Sequence, residues 1–209
     1  MRILVADDHA IMRDGLINSL SRSFPDADFG EADTSPAILS MIRDEKWDLV
    51  ILDINIPGRN GLEVLKDIKE HIPDLPVIIL SMYPEDQFAI RTIKAGASAY
   101  LTKDTSIPEL VKAIKTILEK KQYITPSVAS LLTSEVRGNL SKLLHETLSD
   151  REFQVFKLIS SGKSISIIAE ELSLSVKTIS VYRANILQKM NLKNNAEITF
   201  YAFRNNLTE

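Results

Sequence analysis

The first 121 residues alternate between short runs suited to strands and longer segments whose apolar positions recur at helical spacing. The short runs predict five strands, Ile3–Ala6, Asp28–Glu31, Leu49–Leu52, Val77–Leu80 and Ala99–Leu101. The longer segments predict five helices, Met12–Ser23, Ala37–Asp44, Leu62–His71, Gln87–Lys94 and Pro108–Lys120. Because five βα repeats of this kind build a parallel sheet with helices on both faces, residues 1–121 are predicted to form an α/β domain.

The alternation stops at residue 122. Residues 122–147 contain one possible helix, Ser127–Val136, and we interpret them as a partly helical linker. Residues 148–209 carry only helical patterns, which predicts an all-α domain of four helices. A short helix, Ser166–Leu172, and a longer one, Val176–Met190, are separated by a tight turn, the arrangement of a helix-turn-helix motif.

Polar residues mark the starts of several predicted helices. Ser35 precedes Pro36, which predicts an N-cap followed by proline at the first helical position. The S-x-x-E spacing predicts capping boxes at Ser106–Glu109 and at Ser149–Glu152.

Composition and charge narrow the class of protein. The chain has 44% hydrophobic and 25% charged residues, no cysteine, and no apolar run long enough to cross a membrane. We therefore expect a globular, cytoplasmic protein without disulfides. Residues 1–121 carry 15 Lys and Arg against 20 Asp and Glu, whereas residues 122–209 carry 10 against 8. The small positive excess of the second part is a weak indication of contact with a polyanion.

Three carboxylates follow two of the predicted strands. Asp7 and Asp8 come directly after the first strand, and Asp53 follows the third, in LVILDINIPGRNG. A flavodoxin-like strand order makes these two strands neighbours, and ligands bind beyond the carboxyl ends of such strands. Carboxylates gathered at one rim repel each other unless a hard divalent cation lies among them, so the cluster predicts Mg²⁺. Taken singly, each carboxylate could instead cap a helix or a turn.

Two more polar side chains are predicted at this rim. Ser81 ends the fourth strand in VIILSM, and Lys103 follows the fifth in AYLTKD. A hydroxyl, an ammonium group, a cation and a carboxylate nucleophile are the groups needed to receive a phosphoryl group, with Asp53 attacking in line.

The segments Asp7-Asp8, LDINIPGRNGLEVL, ILSMYPEDQ and KAGASAYLTKD closely resemble the receiver domain of bacterial two-component response regulators, over about residues 1–121. This resemblance implies that Asp53 accepts a phosphoryl group from a phosphohistidine of a sensor histidine kinase. It implies that Asp8 binds Mg²⁺ directly, that Asp7 acts mainly through a bound water, and that Asn55 contributes its backbone carbonyl.

The same resemblance assigns the switch. Ser81 is expected to hydrogen-bond the phosphoryl oxygen, Lys103 to pair with it, and Tyr100 to swing inward as Ser81 moves. The alternative interpretation of Tyr100 is a half-buried aromatic residue of a strand. Many receivers have threonine where this chain has Ser81, which keeps the hydroxyl, and proline where it has Asp104.

The segment LSDREFQVFKLISSGKSISIIAEELSLSVKTISVYRANILQKMNLKN resembles the LuxR-type DNA-binding domain, with a recognition helix over about Ser175–Met190. The resemblance implies base contacts from Lys177, Ser180, Val181 and Ala184. The expected phosphate contacts, which set register without reading sequence, are Lys163, Thr178, Arg183 and Lys189. Because Ser180, Val181 and Ala184 are small, we predict a degenerate binding site with a large contribution from DNA shape.

Together the two resemblances indicate a NarL/FixJ-type response regulator that binds promoter DNA, with its last helix, AEITFYAFRNN, pairing two copies on an inverted repeat. The sequence leaves open whether phosphorylation unmasks the recognition helix or drives dimerisation. An aspartate-based phosphatase is one alternative, but such enzymes usually have a second Asp where Asn55 stands. An atypical regulator controlled by a partner protein is another, and the complete set of receiver residues argues against it.

Overall fold

The computed structural model describes residues 1–136, 144–205 and 207, and the chain divides into two compact units, Met1–Val136 and Arg137–Glu209. Within the predicted linker, residues 137–143 lie outside the described residues, as do residues 206, 208 and 209 of the predicted C-terminal domain. No helix in the described part of the chain is both long enough and apolar enough to span a membrane.

The first unit contains a parallel sheet in the order β2-β1-β3-β4-β5. Its strands are β1 Arg2–Ala6, β2 Asp28–Ala32, β3 Leu49–Leu52, β4 Val77–Ser81 and β5 Ala99–Thr102. The predicted flavodoxin-like order is therefore confirmed, and β1 and β3 are neighbours. Strand β2 lies at the edge of the sheet, and only Ala32 is buried there, which explains why its apolar pattern is weak.

Six helices accompany the strands, namely α1 Ala10–Ser23, α2 Ser35–Asp44, α3 Gly61–His71, α4 Glu85–Lys94, α5 Ile107–Leu118 and α6 Pro126–Val136. Alternate residues of the central strands face opposite sides of the sheet. Ile3 and Val5 belong to a core that includes Leu16 of α1 and Ile114 of α5. Leu4, on the other face, is also fully buried. Both faces of the sheet are thus covered, as the sequence predicts.

The described part of the second unit is helical throughout. A 3₁₀ turn, Leu144–Thr147, precedes α7 Asp150–Ser160, α8 Ile165–Glu171, α9 Val176–Lys189 and α10 Asn195–Arg204. Helices α8 and α9 pack on each other, and both also contact α7, while α10 packs against α7. The predicted helix-turn-helix is present as α8, a turn and α9.

Two of the predicted helix starts are wrong in detail. The N-cap of α2 is Thr34, and Ser35 is the first helical residue. The Ser35 hydroxyl is buried and accepts a hydrogen bond from the backbone N–H of Arg59 at 2.8 Å, so a tertiary contact has replaced the capping role. Ser106 is the N-cap residue of α5, but its side chain makes no capping bond, and the Glu109 carboxylate accepts a hydrogen bond from the Tyr123 hydroxyl.

The capping box at the start of α7 is confirmed. The Ser149 hydroxyl accepts from the backbone N–H of Glu152, and the Glu152 carboxylate accepts from the backbone N–H of Ser149. Ser175 likewise caps α9 through the N–H of Thr178 at 3.0 Å.

Candidate functional site

The polar residues predicted at the sheet rim are held there by backbone hydrogen bonds that continue the strand ladders. The Asp53 N–H donates to the carbonyl of Ala6 at 2.9 Å, and the Lys103 N–H donates to the carbonyl of Ser81 at 2.8 Å. Asp7 is held in the same way by the carbonyl of Ala32 at 3.1 Å. Because all these residues follow parallel strands, their side chains gather at one edge of the sheet.

Lys103 joins two of the carboxylates. Its Nζ lies 2.6 Å from Oδ2 of Asp7 and 2.8 Å from Oδ2 of Asp53, and all three side chains are almost completely buried. A single ammonium group therefore compensates two buried negative charges, which desolvation would otherwise make very costly.

The electrostatics of Asp53 reflect this incomplete compensation. Burial raises the pKa of Asp53 from 3.8 to about 6, Lys103 opposes the shift, and the charge of Asp7 adds to it. A backbone hydrogen bond from Asn55 also stabilises the Asp53 carboxylate. Burial alone would lower the pKa of Lys103, but the charges and hydrogen bonds of the two carboxylates raise it above its usual value. The site thus holds one ammonium group firmly and has a surplus of carboxylate.

The donor set fits a divalent cation. Ligand atoms of Asp7, Asp8, His9 and Asp53 all lie within 4.8 Å of one another. Carboxylate oxygens are the ligands that Mg²⁺ prefers, and Asp8 is exposed, which leaves room for retained waters. Asn55 follows Asp53 in the same loop and is partly buried.

His9 is a member of this cluster that the sequence analysis missed. Its Nδ1 lies 2.7 Å from Oδ1 of Asp8, and its backbone N–H donates to Oδ1 of Asp7 at 2.9 Å. The signal for it was its place directly after the two aspartates. It also precedes α1 as the N-cap residue, although its side chain makes no capping bond.

The loop after Asp53 is tightly shaped. A Cβ atom at Gly61 would lie 2.2 Å from the carbonyl oxygen of Asp53, so only glycine fits this close approach. The N–H of Gly61 donates to the carbonyl of Ile54 at 2.9 Å, and Asn60 caps α3 with a complete capping box to Glu63. These contacts fix the backbone on which Asp53 is presented.

Ser81 and Tyr100 are connected through Tyr83. The Ser81 hydroxyl accepts a hydrogen bond from the Tyr83 N–H at 3.2 Å, and the Tyr100 hydroxyl donates to the Tyr83 carbonyl at 2.7 Å. Tyr100 is only 1% exposed, so it is fully inside the protein rather than half-buried on a strand. Burial raises the pKa of its phenol, although a hydrogen bond with Ser81 opposes that shift. Tyr83 acts here through its backbone, which leaves no pattern in the sequence.

In the second unit, α9 presents part of the predicted DNA-contacting set to solvent. The exposed members are Lys177, Ser180, Val181, Ala184 and Lys189, whereas Lys163, Thr178 and Arg183 are partly buried. Residues Ile179 and Ile186, on the opposite side of the helix, are fully buried. One face of α9 is therefore packed in the core of the unit, and another face is exposed to solvent.

Three of the predicted phosphate contacts already have partners within the unit. Lys163 pairs with Glu171 at 2.5 Å, and Lys189 pairs with the buried Glu152 at 2.7 Å. Arg183 donates to Oδ1 of Asn195, the first residue of α10, at 2.6 Å. Lys189 and Arg183 thus connect α9 to α7 and α10, which the sequence did not indicate.

Helix α10 carries the exposed apolar surface expected from the sequence. Phe200 is 62% exposed and Phe203 is 70% exposed, while Ile198 and Ala202 face the core. Two aromatic rings left in water on one helix form a surface suited to another apolar surface.

Comparison with known proteins gives two family matches. Residues 3–115 match the response regulator receiver domain, and residues 146–202 match the bacterial regulatory proteins of the luxR family. The chain is 32% identical to the response regulator GacA of Pseudomonas protegens, with 100% of this chain and 98% of the relative covered. It is also 32% identical to the oxygen regulatory protein NreC of Staphylococcus carnosus, with both chains covered completely.

Solved structures agree with these matches. The structure of RcsB from Salmonella enterica serovar Typhimurium, bound to promoter rprA in the presence of the phosphomimetic BeF₃⁻, is 27% identical with a TM-score of 0.65. The match covers 96% of this chain and 97% of the RcsB chain. A further structure, of two RcsB dimers bound to two parallel DNAs, is 26% identical with a TM-score of 0.59 and covers 96% and 97% of the two chains.

Proposed function

The chain belongs to the two-component response regulators of the NarL/FixJ type, which join a receiver domain to a LuxR-type DNA-binding domain, and on this basis we propose that phosphorylation of Asp53 switches its binding to promoter DNA. The observation that carries this proposal is the buried Asp53 carboxylate, paired with Lys103 at the rim of the sheet. An ionised carboxylate is a competent nucleophile, and the ammonium group beside it is placed to neutralise an incoming phosphoryl group.

The phosphodonor is a phosphohistidine of a sensor histidine kinase. A carboxylate oxygen of Asp53 attacks the phosphorus, the P–N bond to the donor imidazole breaks, and the imidazole leaves with the bonding electron pair and takes up a proton. Lys103 then pairs with an oxygen of the acyl phosphate, and Ser81 donates a hydrogen bond to another. Tyr100 follows Ser81 as the switch residue. The protein is a phosphoacceptor rather than a turnover enzyme, with slow autodephosphorylation at most.

The residues that would hold Mg²⁺ are Asp8, Asp7, Asp53 and the backbone carbonyl of Asn55. The clustering of the carboxylates within 4.8 Å of one another supports this assignment. When bound, the cation supplies positive charge to the oxygens of the transferred group. Lys103, which now contacts Asp7 and Asp53, would pair with a phosphoryl oxygen.

Promoter DNA is bound by α9 in the major groove. Base contacts come from Lys177, Ser180, Val181 and Ala184, and phosphate contacts from Lys163, Thr178, Arg183 and Lys189. For Lys163, Arg183 and Lys189 this requires an exchange of the present partners for phosphate oxygens. The exchange costs least for Lys163, whose pair with Glu171 is partly exposed. It costs more for Lys189, whose partner Glu152 is buried. The exposed Phe200 and Phe203 support homodimerisation through α10 on an inverted repeat.

The proposed domains are a receiver over residues 1–121, a linker over 122–147 and a DNA-binding domain over 148–209. The two family matches, 3–115 and 146–202, support this division. A regulator that acts on promoters works where the chromosome is, so we place its function in the cytoplasm.

The test is site selection from random-sequence DNA, with and without acetyl phosphate and Mg²⁺, on the full-length wild type and on Asp53→Ala. The proposal expects the phosphodonor to tighten binding to an inverted repeat in the wild type alone. If both proteins bind equally well and ignore the phosphodonor, DNA binding stands and the phosphorylation switch falls.

A further inference from the structure

Helix α6, which begins the predicted linker, lies against α4 and is attached to it at both ends. At the start, the Thr125 hydroxyl donates to Oε1 of Glu85, the first residue of α4, at 2.8 Å. At the other end, Glu135 forms an ion pair with Lys94, the last residue of α4. Between them Val128 is buried to 1% exposure. The two helices thus run in the same direction and are joined by a polar contact at each end.

Thr125 has two roles in this arrangement. While its hydroxyl donates to Glu85, the same oxygen accepts from the backbone N–H of Val128 at 3.2 Å, in the first turn of α6. The hydrogen bond to Glu85 therefore links the beginning of α6 directly to the beginning of α4. A shift of Glu85 would remove this link.

The beginning of α4 is in turn connected to the phosphorylation site. Tyr83, two residues before Glu85, is bound through its N–H by the Ser81 hydroxyl and through its carbonyl by the Tyr100 hydroxyl. The Tyr83 ring packs on Phe88 of α4, with ring centroids 4.8 Å apart. Ser81 is therefore connected to α6 by its hydrogen bond with Tyr83, by the chain from Tyr83 to Glu85, and by the hydrogen bond of Glu85 with Thr125.

We propose that α6 is the element through which the receiver signals to the rest of the chain, and that phosphorylation of Asp53 detaches α6 from α4. This inference rests on the proposed function, since it requires that Ser81 turns toward a phosphoryl group. When the Ser81 hydroxyl donates to a phosphoryl oxygen, it moves away from the Tyr83 N–H. The segment between Ser81 and Glu85 then rearranges, and Glu85 separates from Thr125.

The remaining attachment is weak enough to follow. The Lys94 side chain of the ion pair with Glu135 is largely exposed, so water and salt partly screen the pair. Once Glu85 has moved, α6 is held by its packing, which includes the buried Val128, and by the ion pair at its far end. Local opening of a single element costs less than global unfolding. Detachment of α6 frees the chain that leads to the DNA-binding domain.

Hydrogen exchange followed by mass spectrometry on the full-length protein tests this inference. The readout is the exchange rate of backbone amides in peptides that cover residues 126–136, with and without acetyl phosphate and Mg²⁺. Intact mass measures phosphorylation in the same samples, and Asp53→Ala is the control. We expect these amides to exchange about tenfold faster after phosphorylation of the wild type.

The matched pair Glu85→Ala and Glu85→Gln tests the link itself. Glutamine keeps an oxygen that can accept from Thr125, whereas alanine does not. Unphosphorylated Glu85→Ala should show the faster exchange of residues 126–136, and Glu85→Gln should resemble the wild type.

A second pair tests the far end of α6. Glu135→Lys should also accelerate exchange, and adding Lys94→Glu should restore slow exchange.

The outcomes separate the two proposals. If Asp53 gains phosphate but the exchange of α6 does not change, this inference is overturned and the proposed function stands. If Asp53 gains no phosphate, both fall. Equal exchange in Glu85→Ala and Glu85→Gln also overturns the role of Glu85.

Discussion

The Nζ atom of Lys103 lies 2.8 Å from Oδ2 of Asp53, with both side chains almost wholly excluded from water. This pairing stabilises the buried carboxylate, but not fully, because burial still raises the pKa of Asp53 to about 6. Two buried carboxylates around one ammonium group therefore leave a surplus of negative charge at neutral pH. Protonation of Asp53 or binding of a divalent cation would compensate this surplus, and each effect can be measured.

The first prediction concerns the stability cost of ionised Asp53. Its pKa in the folded protein lies above its ordinary value of 3.8, so ionisation destabilises the fold progressively as pH rises from about 4 to about 6 and fully above that. Asp53→Asn should therefore raise the free energy of unfolding at pH 7 by about 1–3 kcal/mol. The gain should disappear near pH 4. Urea denaturation in EDTA across this range is the measurement.

Asp26→Asn, at an exposed position in a turn, is the control for this series and should change little at any pH. Addition of Mg²⁺ should narrow the gap between the wild type and Asp53→Asn, because the cation compensates the wild-type carboxylate. An Asn variant that is less stable than the wild type at pH 7 in EDTA would contradict the explanation.

The second prediction concerns Lys103. Lys103→Met removes the ammonium group that faces both Asp7 and Asp53, and the buried carboxylates are left without their partner. The free energy of unfolding in EDTA should fall by about 3 kcal/mol. Mg²⁺ should restore more stability to this variant than to the wild type, since both cations serve the same carboxylates. Thermal unfolding with and without Mg²⁺ measures both effects, with Lys121→Met, which breaks an exposed pair to Glu119, as the control.

The sequence predicted this site because its residues obey a topological rule. Asp7, Asp53, Ser81 and Lys103 each follow or end an apolar run, and parallel strands bring such positions to one rim. Strand bounds were predicted to within one residue for the same reason, since the apolar runs are bounded by polar residues. The edge strand β2 was the weakest case because most of it is not buried.

Contacts that depend on tertiary geometry could not be predicted in this way. Ser35 and Ser149 both precede residues typical of a helix start, yet only Ser149 caps its helix, because Ser35 is buried against the N–H of Arg59. The link through Tyr83 uses backbone atoms, which every residue has. The partners of Lys189 and Arg183 lie 37 and 12 residues away, and charge alone did not indicate whether these side chains face solvent, DNA or a neighbouring helix.

The third prediction concerns the pair of Glu152 with Lys189. Glu152 is buried, and although burial opposes it, the hydrogen bonds from Lys189 and Ser149 lower its pKa below the usual 4.5. Its contribution to stability is therefore complete above pH 4.5 and is lost as pH falls through the lowered pKa. Glu152→Gln should reduce the free energy of unfolding by about 1–3 kcal/mol at pH 7.

This difference between wild type and Glu152→Gln should close in acid, as followed by urea denaturation of the full-length protein at decreasing pH. Glu171→Gln is the matched control, because its pair with Lys163 is partly exposed and should contribute less than about 0.5 kcal/mol. A difference that persists unchanged at acid pH would rule out the ionic explanation.

The fourth prediction concerns Lys177, which lies exposed in the first turn of α9. If the ammonium group contacts phosphate, Lys177→Ala should weaken binding to every DNA sequence in similar proportion. The slope of the logarithm of the binding constant against the logarithm of the salt concentration should then fall by about one. If it contacts a base, the loss should be confined to the selected site. Titration at several salt concentrations on selected and random DNA separates the two. Lys115→Ala, on an exposed face of α5, serves as the control, and equal affinity of all three proteins would exclude Lys177 from the interface.

The last prediction concerns the exposed aromatic rings of α10. Phe200 and Phe203 lie three residues apart, so they fall on the same side of the helix, and both are more than half exposed. If α10 pairs two copies of the chain, each ring loses its contact with water in the dimer. Replacing both with serine should therefore weaken dimerisation of the phosphorylated protein by about 3 kcal/mol or more, roughly a hundredfold in the dissociation constant. Sedimentation velocity over a range of concentrations measures it.

The double variant should keep the stability of the folded monomer, because neither ring contributes to the core that Ile198 and Ala202 form on the inner side of α10. Ile167→Ser provides the matched control, since Ile167 is 52% exposed on α8 and its loss should leave the dimer intact. Binding to an inverted repeat should weaken in the Phe double variant, while binding to a single half-site should not. A double variant that dimerises as the wild type does would place the dimer interface on another surface, and binding to inverted repeats would then need a different explanation.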